Sequence, residues 1–132
     1  MPPPDSVAKP NILVIEHDAD MLSLLNLMLR GRGFDVTAAS AGQEALRLLD
    51  NHHFDVVLSE MDLPDVTSLE ICKQLRTDPK CQHTPFIMMS GDHGDALERR
   101  VLTSRATDFI SKPFSADALV AKLFAHLNKP SS

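Results

Sequence analysis

The sequence predicts an α/β fold: a doubly wound parallel sheet of five strands with helices on both faces. Three observations carry this reading. Short strand-like segments at 11–15, 34–38, 54–59, 85–90 and 108–111 alternate with stretches of helical periodicity, and such alternation builds parallel strand–helix–strand units. The first of these, NILVI, is a continuous apolar run after its opening Asn11, the pattern of a strand buried on both faces. The chain has 132 residues, 43% hydrophobic and 23% charged, which suits one core and is too short for two domains.

The elements follow in order. Residues 1–10 hold four of the nine prolines and read as a flexible arm before a domain over 11–128, with 129–132 a tail or the start of a linker. Strand 11–15 leads into a helix over Asp18 to Leu29, where Met21, Leu22, Leu25, Met28 and Leu29 make one apolar stripe. Gly31 and Gly33 break it. Phe34 to Ala38 is a second strand. Ser40 and Gln43 have the spacing of a capping box, opening a helix to about Asp50. FDVVLS (54–59) is the third strand and Pro64 punctuates the loop after it. A helix from about Thr67 to Arg76 is expected to bury Leu69, Cys72 and Leu75, and Asp78-Pro79 stops it. PFIMMS (85–90) is the fourth strand, followed by a polar helix over about 96–104. Asp108 to Ser111 is a short fifth strand. Ser115 caps a last helix that buries Leu119, Val120, Leu123 and Leu127.

Composition narrows the function. No apolar run is long enough for a transmembrane helix, and the first ten residues lack the apolar core of a secretory signal. Cys72 and Cys81 match neither a disulfide framework nor a zinc spacing; Cys72 reads as core and Cys81 as a loop thiol. A cytoplasmic location is expected, with no membrane partner. The net charge of −5 and the absence of Trp and Tyr argue against direct nucleic-acid binding. Arg99, Arg100 and Arg105 read as a solvated face, and His52-His53 as a loop pair.

In open parallel sheets the site lies at the carboxyl ends of the strands. The residues to read are therefore Glu16-His17-Asp18, Glu60-Met61-Asp62, Ser90-Gly91 and Lys112-Pro113. In this order, strand-E-H-D-helix, strand-E-x-x-L-P, strand-S-G and D-F-I-S-K-P-F, the chain resembles the response-regulator receiver domain over roughly residues 10–128. The resemblance implies a (βα)5, flavodoxin-like and CheY-like fold with strand order 2-1-3-4-5. It also implies phosphoryl transfer from a partner kinase's phosphohistidine to a carboxylate ending the third strand. An acidic pair would hold Mg²⁺, and a hydroxyl residue and a lysine would bind phosphoryl oxygens. By position, Glu60 is the phosphoacceptor equivalent, and Glu16, His17 and Asp18 form the acidic pocket. Ser90 and Lys112 are the phosphoryl-binding equivalents, Phe109 is the switch aromatic, and the Asp62 backbone carbonyl is a metal ligand. A cis bond between Lys112 and Pro113 is implied as well.

Two departures touch the chemistry: Glu60 stands where the family has Asp, and His17 replaces one of the metal carboxylates. (Ser68 and Arg105, where the family usually has Gly, do not.) Glu60 reaches about 1.3 Å further than Asp. Three readings stay open for it: mimicry of a phosphorylated Asp bound by Lys112 and Ser90, an inert acid paired with Lys112, or a true acceptor. His17 weakens a Mg²⁺ site, because Mg²⁺ prefers oxygen ligands. Imidazole suits Zn²⁺, Ni²⁺ or Cu²⁺ with Glu16 and Glu60, although a histidine hydrogen-bonded to a neighbouring carboxylate is the plainer expectation. Asp18 is expected to cap the first helix, and the Asp62 side chain to point away.

The sequence therefore predicts a pseudo-receiver: a non-enzymatic signalling module with no cofactor beyond weak Mg²⁺. Its protein partner, a histidine kinase or an output domain, would dock on the face of the fourth helix, fifth strand and fifth helix, and a homodimer is left open. The alternative is a working receiver with altered metal or acceptor chemistry. A flavodoxin-like cofactor enzyme is disfavoured, because the acidic first loop repels phosphate.

Overall fold

The computed structural model describes residues 9–91, 96, 99 and 105–127. Most of the expected N-terminal arm, Arg100 and most of the expected 96–104 helix, and the tail at 129–132 lie outside the described residues. Five strands, β1 (Asn11–Ile15), β2 (Asp35–Ala39), β3 (Val56–Glu60), β4 (Phe86–Ser90) and β5 (Asp108–Ser111), form one sheet. All neighbours are parallel and the order is β2-β1-β3-β4-β5, as expected. Among the described residues, four helices have both ends defined: α1 (Ala19–Gly31), α2 (Gly42–Asn51), α3 (Ser68–Thr77) and α4 (Ala116–Leu127).

Residue parity along each strand sorts the core into two layers. Leu13, Ile15, Val57, Phe86 and Met88 pack with Ala45, Ile71, Cys72 and Leu75 under α2 and α3. Ile12, Val14, Val56, Leu58, Ile87 and Met89 pack with Leu25, Leu29, Leu119 and Leu123 under α1 and α4. β3 and β4 are buried at every position, which is why their sequences show no alternation.

Most termini are set by the residues that the sequence singles out. Asp18 accepts from the Asp20 and Met21 amides at 3.0 Å each and caps α1. Gly33 ends the turn after α1 with φ of +94°, a conformation that side chains resist. Ser115 Oγ accepts from the Ala118 amide and caps α4.

Four details differ from expectation. The capping box does not form. Ala41 is the N-cap of α2 and makes no side-chain cap bond; instead the Asp65 carboxylate accepts from the Gly42 and Gln43 amides at 2.9 Å each. A charged acceptor from another loop outcompetes the local hydroxyl at a helix N-terminus. Leu69 is exposed and Ile71 is buried, because the inward stripe of α3 runs Ser68, Ile71, Cys72, Leu75 at spacings of three, four and seven. Val120 and Leu127 are only partly buried at the layer's edge. Finally, β3 extends one residue further than expected, so Glu60 is its last residue, opposite Met89.

Candidate functional site

The carboxyl ends of four strands converge. Backbone bonds continue the ladders past the strand ends and fix the loops: Glu16 N–H donates to Ala39 O, Met61 N–H to Met89 O, and Lys112 N–H to Ser90 O. Glu16 and Glu60 share the even parity of Val14 and Leu58, so both side chains emerge on the α1 and α4 side of the sheet. Ser90 ends β4 and is buried. The Lys112-Pro113 bond is cis, as the resemblance implies.

The pairing differs from the one the sequence suggests. Lys112 Nζ donates to Glu16 Oε1 at 2.7 Å, not to Glu60. The second Glu16 oxygen accepts from the Asp18 amide at 3.2 Å. Glu60 Oε2 accepts from the His17 backbone N–H at 3.0 Å and lies 2.5 Å from His17 Nδ1. His17 is thus the histidine bonded to a carboxylate, as expected, and its ring remains half exposed. The lysine goes to Glu16 because that carboxylate is fully buried, and a buried charge left unpaired is costly.

The electrostatics follow this geometry. Burial pushes the Glu16 carboxyl up, but bonds from Glu60, Lys112 and the Asp18 amide outweigh it, so Glu16 lies below its ordinary pKa. Burial and the adjoining Glu16 push Glu60 above its ordinary value, against the pull of His17. The hydrogen bond to Glu60 and its charge raise the pKa of His17. The resulting arrangement pairs Glu16 with Lys112 and Glu60 with His17.

That pairing tests the Mg²⁺ which the resemblance implies. Glu16, His17 and Glu60 bring ligand atoms within 4.8 Å of one another. One of the three is imidazole, a poor ligand for a hard ion, and both carboxylates already hold internal partners. The residues do not fit Mg²⁺.

Asp62 is exposed beyond the strand end. Phe109 is half-buried against the α2–α3 layer, and Lys122 Nζ sits 5.9 Å from its ring centroid. One cluster was missed by sequence reasoning. Asp108 on β5 accepts from Lys122 Nζ at 3.2 Å and bonds His126 Nε2 at 2.8 Å, tying α4 to the strand. The i, i+4 spacing of Lys122 and His126 on a helix crossing an acidic strand residue was the available signal. Arg105 is exposed. His52 and His53 are exposed and line a cavity of about 440 Å³ with Asp78, Lys80 and Cys81, away from this site. No helix among the described residues is long and apolar enough to cross a membrane.

Comparison with known proteins agrees with the fold. Residues 12–124 match the family described as the response regulator receiver domain. The DNA-binding response regulator MtrA of Mycobacterium tuberculosis (strain ATCC 25618 / H37Rv) is 33% identical over 118 residues, 89% of this chain and 50% of its own length. The phosphate regulon transcriptional regulatory protein PhoB of Rhizobium meliloti is 34% identical over 121 residues, 91% of this chain and 53% of its own. The chain spans about half the length of these curated relatives. A crystal structure of a putative response regulator from Chloroflexus aurantiacus superposes with a TM-score of 0.86 at 26% identity, covering 92% of this chain and 99% of that one. The chain belongs to the response regulator receiver domain family.

Proposed function

We propose that this receiver domain is a pseudo-receiver, a non-enzymatic module whose signalling state is set by protein–protein contact and not by phosphorylation at Glu60. One observation carries the reading: Glu60 is bonded twice to His17 while Lys112 is bonded to Glu16. A phosphoryl group arriving at Glu60 would have to displace His17, detach Lys112 and do without a fitting Mg²⁺. Mimicry of a phosphorylated aspartate needs Lys112 on Glu60, so the pairing favours Glu60 as an inert, internally bonded acid. The partner we propose is another polypeptide, a histidine kinase or an output domain, docking on the face that includes β5 and α4. MtrA is by name a DNA-binding regulator, and this chain matches half of it; the matching region, in a chain of net charge −5, suits protein rather than nucleic-acid contact.

A second reading has its own support. Ser90 and Lys112 stand at the ends of β4 and β5, where the family's phosphoryl-binding groups are expected, so a receiver with altered acceptor chemistry retains part of its apparatus. An amide NMR titration with Mg²⁺ followed by beryllofluoride, which stands in for the phosphoryl group on a carboxylate, separates the two. Unmoved resonances at Glu60, Ser90 and Lys112 are expected. Shifts there that spread to Phe109, or Mg²⁺-dependent labelling of the unaltered chain by a small phosphodonor, would establish the second reading. Glu60→Asp alone should restore little labelling, whereas Glu60→Asp with His17→Asp restores it.

A further inference from the structure

We propose that the cavity at the amino ends of β3 and β4 is a site for an alkylammonium ion, a cationic amine carried on an aliphatic stem. The cavity has a volume of about 440 Å³ and lies between the end of α2 and the loop from α3 to β4, a size that suits a small ligand. It is at the opposite end of the sheet from Glu60, so it stands apart from any phosphoryl chemistry. Phe54, just before β3, and Thr84, just before β4, are buried and form its floor, and Leu49 is a half-buried wall. Thr84 is 8% exposed. Its backbone amide and carbonyl are both bonded, but its hydroxyl has no hydrogen-bond partner among the described residues. A hydroxyl so nearly sealed is costly to leave unpaired, and an occupant of the cavity is placed to pair it.

Charge selects the class of occupant. Asp50 stands in the last turn of α2, which holds no basic side chain, so an acid adjoins the negative end of the helix. The carbonyls of Leu49, Asp50 and Asn51, all on the cavity wall, have no partner among the described residues. Asp78 brings a second carboxylate to the wall, and neither acid has an ion pair among the described residues. Lys80 is the only lysine or arginine among the described lining residues. Arg76, in the last turn of α3, is committed to the carbonyls of Gln82, Thr84 and Arg105 and does not line the cavity. An anion is therefore repelled. A bare metal ion is not suited either, because the acids, His52, His53 and Cys81 do not gather their ligand atoms as Glu16, His17 and Glu60 do. An ammonium group has the donors that the Thr84 hydroxyl and the carboxylates lack, and its methylene stem finds apolar surface on Leu49 and Phe54.

The test is an amide NMR titration of the unaltered chain with diaminobutane. Saturable shifts at Asp50, Phe54 and Thr84 are expected, with Glu60 and Lys112 unmoved. Butanediol, the uncharged match, should leave the spectrum unchanged. A blocked lysine peptide is the second arm: tighter binding of the peptide makes a partner's side chain the source of the amine, and tighter binding of the diamine makes the source a free amine. Thr84→Val should weaken the diamine about fivefold and Asp50→Asn about threefold, whereas Lys80→Ala should tighten it; amide spectra check that each variant is folded. Absence of shifts up to about 10 mM of either amine, equal shifts with butanediol, or an affinity indifferent to both Thr84→Val and Asp50→Asn would each overturn the proposal.

Discussion

At the scale of single residues, the site is governed by which carboxylate takes which cation. Both acids were identifiable from the strand ends, and so was the lysine. The pairing was not, because it turns on depth: Glu16 is sealed while Glu60 leans against a half-exposed ring, and one-dimensional spacing does not encode which acid is deeper. The consequence is measurable. His17 titrates above its ordinary value of 6.5, first through its hydrogen bond to Glu60 and then through that group's charge. A histidine raised on folding contributes stability fully below about 6.5, and that contribution is lost as pH rises through the folded value. NMR titration of the His17 ring should give a pKa above 6.5 in the unaltered chain, and Glu60→Gln should bring it down. An unchanged value in the variant would show that the pairing is absent in solution.

At the scale of elements, the loop after β3 is held by contacts that local pattern does not reveal. Ser68 Oγ donates to Met61 O at 2.9 Å, and Asp65 caps a helix more than twenty residues away. The S-x-x-Q pattern at the start of α2 pointed to a local cap; a carboxylate from the neighbouring loop reached the same amides first. Asp65 is held at about 2, chiefly by the Gln43 amide and then the Gly42 amide. A carboxyl lowered on folding contributes fully above its ordinary 3.8, and the contribution is lost as pH falls through about 2. Asp65→Asn should therefore flatten the acid limb of a urea-denaturation series, with faster amide exchange at Gly42 and Gln43. Gly42 is constrained from the same side. A Cβ there would lie 2.8 Å from both Val66 Cβ and Val66 O, so Gly42→Ala should cost about 1–3 kcal/mol in denaturant titration, the range for overpacking. Arg76 is the matching tie on the far side, donating to the carbonyls of Gln82, Thr84 and Arg105 and to Thr107 Oγ1. Helix phase was only partly legible. Leu69 looked like core because it is leucine, yet the stripe through Ser68 and Ile71 excludes it.

For the molecule as a whole, the sheet is a wall between two apolar layers, and this was the most legible level. Unbroken apolar runs and alternation with helices suffice to specify a parallel sheet covered on both faces. Strand order was not readable from the runs themselves and came from the motifs at their ends. Leu58 lies in the central strand at zero exposure, so Leu58→Ala should cost about 2–5 kcal/mol by chemical denaturation. The two thiols report the same architecture. Cys72 is fully buried and Cys81 only partly, and burial pushes both thiols above their ordinary pKa. A disulfide reagent should modify Cys81 in the native protein, and Cys72 only at the rate of global opening.

The Glu16–Lys112 bond joins residues 96 positions apart, linking the loop that leaves the first strand to the loop that leaves the last. Contacts of such long sequence separation carry the full entropic cost of chain closure and form when little else remains to be ordered. During synthesis the amino-terminal half of the pocket must leave the ribosome and wait for the carboxyl-terminal half. A partly made chain therefore cannot present the finished pocket to any partner, and its appearance reports that the domain is complete.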